Sequence, residues 1–557
     1  MEFTDPYLTK QIIAYIGNKR KLLSLILKAV EQSDLKIESG LKFADFFCGS
    51  GVVSRFAKYL GFEVFCNDWE EYARILAEGF IHADKKDIAR LFSSEKEYDS
   101  LLQKINSLPV PAKKDQYIAQ YYAAHNNDIS KADNKTERLF YTHQNALSID
   151  KIRNYIEENF PPDSKDNALR RNILISNLIY ECATHTNTSG VFKAFHKEFG
   201  GHGKDALSRI LAPIQLHQNE LINSKAPVHI YNEDANQLAK KLPPIDVAYL
   251  DPPYNQHQYG SNYHMLNTIA KWDKIPEPLN LNKNGVLKNK AGIRTDWIKT
   301  RSPYCYKDSA LTSFKDLIMS INAKLILISY SSDGIIPFEE MKKICLEKGY
   351  VSIVTSDYVT YRGGKQSNKR INSDIEFILA IDTSKKSQKE CSEKIDKVLL
   401  EKKILLMLKR RFSSQRLAKN FDLSNKNYAM LSLKNKKIAF PCKDNFLLSF
   451  PDQELEDFAN SDLEKIYTAL QNSSCATKQE ELEQLIALCK NSAEDSKKYI
   501  KAIPVTLKKF AQKKYKQIFY EMSQKVKQLE FECPNLYTLI SKKVFEVETI
   551  AEIRFST

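Results

Sequence analysis

Residues 246–254 read DVAYLDPPY, and this stretch decides the fold that we predict for the chain. The apolar run at 247–250 is typical of a strand buried in a parallel sheet, and the two prolines after Asp251 end it. In open α/β sheets, ligands bind beyond the carboxyl ends of the strands. We therefore expect residues 251–254 to lie at the mouth of a ligand site.

The loop at residues 251–254 carries groups that suit a planar amine. Because proline fixes φ and lacks an N–H, Pro252 and Pro253 form a rigid, extended loop. The Asp251 carboxylate and a proline carbonyl oxygen can accept both N–H hydrogens of an amine, and the Tyr254 ring can stack on a flat ligand. Taken alone, the tetrapeptide also fits an ordinary strand end followed by a turn.

Length and composition predict a soluble protein with more than one domain. The chain has 557 residues, of which 43% are hydrophobic and 27% charged, so two or three domains are expected. It contains no run of eighteen apolar residues, and residues 1–10 lack the pattern of a signal peptide. We therefore expect a cytoplasmic protein with no membrane partner.

The charge of the chain favours a polyanionic partner. A net charge of +14 and a pI near 9.0 rank nucleic acid ahead of a membrane surface, although lysine-rich usage alone also raises the pI. The ten cysteines are scattered, without a Cys-x-x-Cys pair or a Cys/His cluster of zinc-ligand spacing. The sequence thus predicts reduced thiols and no metal site.

The first third of the chain carries a pattern typical of nucleoside binding. Residues 43–47 read as a strand, Gly49 and Gly51 form a tight turn, and residues 52–60 read as a helix. A second strand ends at Asp68, about twenty residues past the glycines, where a carboxylate can bind two ribose hydroxyls. A lone Gly-x-Gly is a weak signal, but strand, turn, helix, strand and terminal acid together indicate a nucleoside site.

Between about residues 72 and 227 the sequence turns helical and polar, with interleaved aromatic, amide and basic groups. Such a mixture suits contacts to phosphates and base edges, and an ordinary helical insert is the alternative. The sheet resumes with a strand that ends at Asp234. This carboxylate either accepts a hydrogen bond from a purine amino group or caps the following helix.

Two further segments carry basic side chains that suit phosphate. Residues 274–305 read as a loop that contains Arg294 and Arg301. Residues 361–370 form the basic tip of a predicted hairpin, which is either a phosphate clamp or a solvated turn. Beyond a linker at about 382–389 the chain is lysine-rich and mostly helical, with a long amphipathic helix predicted over 506–529.

In chain order, the assembled motifs are the YIGNK run at 15–19, DFFCGSG at 45–51, Asn67-Asp68, Asp234 and DPPY at 251–254. Together they resemble the Dam-like class of DNA adenine-N6 methyltransferases, which use S-adenosylmethionine. The resemblance covers about residues 10–382 and does not extend into the tail, which begins at about residue 385. It implies an α/β fold, a Rossmann-like methyltransferase sheet with a helical target-recognition insert and a mostly α-helical C-terminal extension.

The resemblance also implies a domain plan and a role for each matched residue. We predict a cofactor-binding part at 1–74, a target-recognition insert at 75–226, a catalytic part at 227–384 and a basic helical domain at 385–557. The catalytic residues implied are Asp251, Pro252, Pro253 and Tyr254. The cofactor-binding residues implied are Tyr15, Lys19, Asp45, Gly49, Gly51, Asp68, Asp234 and Asp251. The basic loops predict DNA contacts at Arg294, Arg301, Tyr361, Arg362, Lys365, Lys369 and Arg370.

The function expected from the resemblance is methylation of adenine N6 in a short double-stranded DNA sequence, with a cognate restriction endonuclease as a candidate partner. Three alternatives stay open. The same fold acts on RNA or on a protein amide in some relatives, although those usually carry Asn where this chain has Asp251. A similar pocket serves cytosine N4, and a non-catalytic nucleic-acid-binding module is the third possibility.

Overall fold

The structure, a computed structural model, describes residues 3–201, 204–356, 375–451, 453–491 and 495–556. Residues up to 356 together with 377–388 form one compact unit, and the residues from 389 onward belong to a second. Each unit has its own buried apolar clusters. In the described part of the chain, no helix is both long and apolar enough to cross a membrane.

A seven-stranded sheet forms the centre of the first unit. Its strands are β1 Lys42–Asp45, β2 Glu63–Asn67, β3 Val228–Tyr231, β4 Ile245–Leu250, β5 Ala323–Ser331, β6 Tyr350–Thr355 and β7 Glu376–Asp382. The order is β3-β2-β1-β4-β5-β7-β6, in which the strands from β3 to β5 run parallel and β6 runs antiparallel to β7. The predicted Rossmann-like methyltransferase fold is confirmed.

Helices cover this sheet and form an insert between β2 and β3. They are α1 Pro6–Thr9, α2 Leu23–Glu31, α3 Val52–Leu60, α4 Glu71–Ala77, α5 Lys85–Phe92, α6 Glu95–Asn106, α7 Ile118–Tyr121, α8 His143–Asn159, α9 Lys165–Thr184, α10 Leu207–Leu211, α11 Ala235–Ala239, α12 Tyr259–Asn262, α13 His264–Lys271, α14 Lys307–Ser320 and α15 Phe338–Lys348. Because the chain order reverses between β1 and β4, a crevice is expected beyond the carboxyl ends of these two strands.

The register of the central strands sets the level of that crevice. Phe43 of β1 pairs with Val247 of β4, and Asp45 pairs with Tyr249. The side chains of β4 from Val247 onward are all buried, which explains why the strand reads as a nearly continuous apolar run. The loop that begins at Asp251 therefore leaves the sheet level with the loop that follows β1.

The helical insert packs around its own core and holds α13 within it. Buried apolar side chains of α4, α8 and α9 form one cluster with those of α13. Arg153 is fully buried and donates hydrogen bonds to the main-chain oxygens of Ile269 (2.8 Å) and Ala270 (3.3 Å) at the end of α13. Burial lowers the pKa of Arg153 to about 9, and these acceptors offset the cost of burying a guanidinium. The insert thus fixes the helix that follows the DPPY loop.

The second unit is mostly helical, as expected, but also contains a small sheet that was not predicted. Strands β8 Tyr428–Ser432, β9 Lys437–Lys443 and β10 Leu447–Leu448 pair antiparallel. The helices are α16 Lys389–Leu408, α17 Ser414–Asn420, α18 Asn460–Ser473, α19 Lys478–Lys490, α20 Ser496–Leu507, α21 Lys516–Glu532, α22 Pro534–Tyr537 and α23 Ser541–Ser556.

The long helix predicted over 506–529 is wrong. Helix α20 ends at Leu507, two short 3-10 turns follow, and α21 begins at Lys516. The break changes which side chains face the core, because Phe519 is buried whereas Ile518, which the continuous helix would have buried, is only partly so. Burial of Phe519 and Phe510 in the same cluster therefore overrides the helical periodicity of the sequence.

Candidate functional site

A cleft that opens to solvent lies beyond the carboxyl ends of β1, β2 and β4. It is lined by residues from widely separated motifs, among them Tyr15, Phe47, Asp68, Trp69, Glu70, Asp234, Asp251, Pro253, Gln258, Tyr259 and Tyr304. The structure therefore brings four of the predicted cofactor-binding residues, Tyr15, Asp68, Asp234 and Asp251, to one cavity.

The buried amide of Asn67 joins the ends of three strands at the floor of the cleft. Its Nδ2 donates to the main-chain oxygens of Phe46 and Glu233, each at 3.1 Å, and its Oδ1 accepts from the Glu233 amide at 3.0 Å. The sequence analysis included Asn67 in a motif but gave it no role, although a polar side chain that ends an apolar strand was a visible signal. Asn67 fixes the position of the next residue, Asp68.

The carboxylate of Asp68 is held by two main-chain amides. The Gly49 amide donates to one oxygen at 2.8 Å, and the Glu70 amide donates to the other at 2.9 Å. Burial raises the pKa of Asp68 to about 6, although these hydrogen bonds act in the opposite direction. Each oxygen still has a second lone pair, so the side chain can accept hydroxyl hydrogens from a ligand in the cleft.

The glycine turn lets the chain pass close to the Tyr15 ring. Gly49 has φ +51°, and a Cβ at this position would lie 2.6 Å from Cε1 of Tyr15, which no side chain tolerates. Asp45, predicted to bind the cofactor, lies behind this turn. It is 1% exposed, accepts from the Ser54 hydroxyl at 2.7 Å, and burial raises its pKa to about 7. The geometry therefore favours support of the turn over direct ligand contact for Asp45.

Asp234 does two things at once. Its side chain accepts from the Gln237 amide at 3.1 Å and so caps α11, and it also lines the cleft. The two roles left open by the sequence are therefore compatible.

The carboxylate of Asp251 forms an ion pair with Lys19. The Nζ–Oδ1 distance is 3.2 Å, and the Lys19 side chain is only 5% exposed. The same Nζ lies 5.3 Å from the centre of the Tyr254 ring, which meets the Tyr330 ring edge-on at 5.9 Å. The N-terminal motif and the DPPY loop thus meet at one charge pair, although more than two hundred residues separate them.

Two tyrosines hold the Ile16 peptide from opposite ends. The Ile16 amide donates to Oη of Tyr263 at 2.8 Å, and Oη of Tyr259 donates to the Ile16 carbonyl oxygen at 3.3 Å. The Tyr15 ring stacks on the Tyr263 ring with centres 4.9 Å apart. Sequence reasoning missed this tyrosine clamp, because the polar loop after DPPY gave no sign of which rings turn inward.

Residues 300–304 form one wall of the cleft. The Ser302 amide donates to Oε1 of Gln258 at 2.8 Å, and Nε2 of Gln258 donates to the Ser302 carbonyl oxygen at 3.1 Å. This two-point contact ties the wall to the start of α12, and the sequence gave no indication of it. The wall is thus fastened to the segment that directly follows the DPPY loop.

Glu70 fastens the same wall from the other side of the cleft. Its carboxylate accepts from the Thr300 hydroxyl at 2.9 Å and from Nδ2 of Asn267 at 2.6 Å. Burial raises the pKa of Glu70 to about 7. Glu70 was also not predicted, although it lies only two residues past Asp68.

The basic residues predicted to contact DNA have different fates. Arg294 is 7% exposed, and its guanidinium is ion-paired with Asp273 at 2.6 Å and Asp296 at 2.8 Å. The Arg294 guanidinium thus holds the 273–296 loop, and its contact with DNA stays a prediction. Arg301 is exposed, with its guanidinium 4.8 Å from the centre of the Trp297 ring, and stays a prediction. The others, Tyr361, Arg362, Lys365, Lys369 and Arg370, lie outside the described residues.

Residues 15–343, more than half of the chain, match the family model described as D12 class N6 adenine-specific DNA methyltransferase. The chain belongs to this family. The match begins at Tyr15 and includes every motif that lines the cleft. The resemblance inferred from the sequence is confirmed.

Individual relatives are similar at about the same level. Modification methylase LlaI of Lactococcus lactis subsp. lactis is 29% identical over 361 residues, which are 64% of this chain and 52% of that protein. Type II methyltransferase M.NlaIII of Neisseria lactamica is 29% identical over 368 residues, 65% of this chain and 97% of that protein. Type II methyltransferase M.FokI of Planomicrobium okeanokoites is 30% identical over 383 residues, which are 68% of this chain and 54% of that protein. The chain thus matches about half the length of LlaI and M.FokI. No solved structure matches the chain significantly.

The Gly49 turn yields a first prediction. Gly49→Ala adds a Cβ at 2.6 Å from Tyr15 in a backbone conformation that alanine disfavours. Affinity for S-adenosylmethionine, the methyl donor that the family implies, is therefore expected to fall roughly tenfold or more. Isothermal titration with S-adenosylmethionine measures this. Gly285→Ala is the matched control, because Gly285 has φ +70° but no atom within 4 Å of the added Cβ. Equal affinity for Gly49→Ala and wild type would contradict the close approach.

The tyrosine clamp yields a second prediction. Tyr263→Phe removes the acceptor of the Ile16 amide, and loss of one such hydrogen bond is expected to lower kcat/KM for methyl transfer roughly three- to tenfold. The control is Tyr141→Phe, which removes a buried hydroxyl that donates to the Cys182 carbonyl oxygen in the insert core. If both variants lose activity in proportion to their loss of thermal stability, the clamp has no positioning role.

Proposed function

We propose that the protein transfers a methyl group from S-adenosylmethionine to N6 of adenine in a short double-stranded DNA sequence. The observation that carries the proposal is the placement of Asp251 at the carboxyl end of β4, where it lines the same cleft as Asp68. The relatives are modification methylases by name, which supports a role as the modification component of a restriction–modification system. A cognate endonuclease is then a proposed partner, and the cytoplasm the proposed location.

The chemistry of the cleft walls fits S-adenosylmethionine. Its carboxylates, among them Asp234 and Asp251, complement the positive sulfonium and ammonium groups, and Asp68 can accept from the two ribose hydroxyls. Phe47 and Trp69 offer flat apolar surfaces for the adenine ring. We propose that the Tyr15 ring also contacts the cofactor. Gly49 and Gly51, which lack a side chain, would let the main chain pass close to the cofactor.

The DPPY loop prepares the amine that receives the methyl group. Adenine N6 is hidden in duplex DNA, so the base must be extruded at a cost of a few kcal/mol. The Tyr254 ring stacks on the extruded base, while the Asp251 carboxylate and the Pro252 carbonyl oxygen accept the two N–H hydrogens. These bonds favour tetrahedral geometry at nitrogen and localise its lone pair, which in the free base is delocalised into the ring. When bound, S-adenosylmethionine would supply an electrophilic methyl group, whose C–S bond would break as the N6–C bond forms. N6 then loses one of its hydrogens as a proton, to Asp251 or to solvent, after the transfer. In-line positioning of the two groups accounts for most of the reduction in the barrier.

Lys19 contacts the DPPY loop directly, through its ion pair with Asp251. Its ammonium lies 3.2 Å from Asp251 in a site where its side chain is 5% exposed, so it neutralises the carboxylate before DNA arrives. Pro253 keeps the loop rigid, because its ring fixes φ between Pro252 and Tyr254. We therefore assign Lys19 to orientation of Asp251, and its contact with the cofactor stays a prediction.

The decisive experiment is methyl transfer from labelled S-adenosylmethionine to unmodified DNA, followed by nucleoside analysis. Wild type is expected to form N6-methyladenine. Asp251→Ala is expected to lose transfer by roughly a hundredfold or more, because the amine loses its acceptor, while Asp68 and Asp234 still hold the cofactor. Label in cytosine would move the enzyme to the N4 class. Label in RNA alone, or in no nucleic acid, would overturn the proposal.

The pKa of Asp68 predicts a pH dependence of cofactor binding. Because burial raises this pKa to about 6, the carboxylate is protonated at lower pH and then accepts ribose hydroxyls less well. Affinity for S-adenosylmethionine is therefore expected to be full above about pH 7 and to fall by up to tenfold per pH unit below about 6. Titration calorimetry across this range measures it.

Two variants assign this pH effect to its source. Asp68→Asn is expected to bind weakly at every pH, with the dependence removed. Glu70→Gln is the control, since Glu70 also titrates near neutrality, with a pKa raised to about 7 by burial, and should leave the fall near pH 6 in place. A wild-type affinity that stays constant between about pH 5.5 and 8 would contradict the role of Asp68.

A further inference from the structure

The second unit contains a segment with strong positive charge. Residues 496–520 include eight lysines and no aspartate or glutamate. The eight are all exposed to solvent and are Lys497, Lys498, Lys501, Lys508, Lys509, Lys513, Lys514 and Lys516. This segment, called the lysine face below, covers α20, the two 3-10 turns and the start of α21. It lies beyond residue 343, where the family match ends.

The lysines of α20 lie on the side of the helix that faces away from the core. In α20 the buried residues include Ile500, Ile503 and Leu507, which pack into the core of the unit. Lys501 follows Lys497 by about one helical turn, and Lys508 follows Lys501 by about two. These three lysines therefore lie on the side opposite the buried residues. The α20 part of the lysine face is thus produced by the same amphipathic pattern that buries α20.

The lysine face carries no ion pair in the part of the chain that the structure describes. Several exposed lysines elsewhere in the second unit do meet acids, as in Lys490–Glu532 at 2.6 Å and Lys527–Glu548 at 3.0 Å. Within the described residues, none of the eight lysines has a carboxylate oxygen within 4.0 Å of its Nζ. No ion pair among the residues that the structure describes therefore offsets their mutual repulsion, and a polyanion would relieve it.

We propose that the lysine face binds the phosphate backbone of double-stranded DNA, in addition to the contacts made by the methyltransferase unit. The inference rests on the proposed function, which brings duplex DNA to this chain as substrate. Exposed, acid-free lysines suit phosphates, because an ammonium acts as a point charge without the planar geometry needed to read bases. The face therefore adds affinity that does not depend on DNA sequence.

The expected signature is a salt dependence of binding. Each phosphate neutralised by a lysine contributes about −0.9 to the slope of log K against log salt concentration. Four lysines in contact with phosphates thus account for a slope of about −3.6, which binding titrations measure readily. A face that merely stays solvated contributes almost nothing to this slope.

The test compares two full-length variants with the same loss of charge. The first carries Lys498→Gln, Lys501→Gln, Lys508→Gln and Lys513→Gln on the lysine face. The matched control carries Lys394→Gln, Lys419→Gln, Lys426→Gln and Lys434→Gln, which are also exposed in the second unit but interspersed with acids such as Glu393 and Asp422. Fluorescence anisotropy with a labelled duplex of about 30 base pairs gives Kd at several salt concentrations.

The lysine-face variant is expected to reduce the magnitude of the salt slope by about 2 to 4, and the control by less than about 1. Both variants should methylate saturating DNA at low salt as wild type does. Equal slopes for the two variants would overturn the inference, as would a loss of affinity confined to RNA or to anionic vesicles. If wild type itself methylates no DNA, the proposed function fails, whatever the slopes show.

Discussion

The parallel pairing of β1 with β2 on one side and with β4 on the other is the constraint on which the site depends. It places the ends of three strands at one edge, where the loops that follow them carry Gly49, Asp68 and Asp251. The buried Asn67 amide then fixes the ends of β1, β2 and β3 relative to one another. A shift of one residue in either pairing would turn the strands over and separate the carboxylates. The register of the sheet therefore determines which side chains meet in the cleft.

Much of this architecture could be predicted because its signals are local. A buried parallel strand is apolar along its length, a tight turn needs glycine, and both patterns are visible around β1 and β4 without any tertiary information. The order of the motifs along the chain then indicated the family. The prediction was weaker where tertiary packing outweighs local pattern, as at residues 506–529, where the chain breaks a periodic helix to bury Phe519.

The residues that sequence reasoning missed share a physical cause. The tyrosine clamp, Glu70 and the Gln258–Ser302 contact all join segments that are distant in the chain, and none follows a local rule. Arg294 shows the converse. An arginine in a polar loop suggests phosphate, but Asp273 and Asp296 occupy its guanidinium, and only the folded loop reveals them. Charge in a sequence gives the number of cations, whereas the fold decides which of them stay available.

The clamp on the Ile16 peptide also has a consequence for the order in which the protein matures during translation. Its partners are separated by 247 and 243 residues, and the cleft wall comes later still, at residues 300–304. At a synthesis rate of about 5–20 residues per second, the N-terminal motif waits roughly ten seconds or more for them. During that interval the glycine turn and Tyr15 have no completed site. A ribosome-bound fragment that ends before the wall therefore cannot form the complete cleft, and any activity that needs the whole cleft begins only in chains that have already closed the first unit.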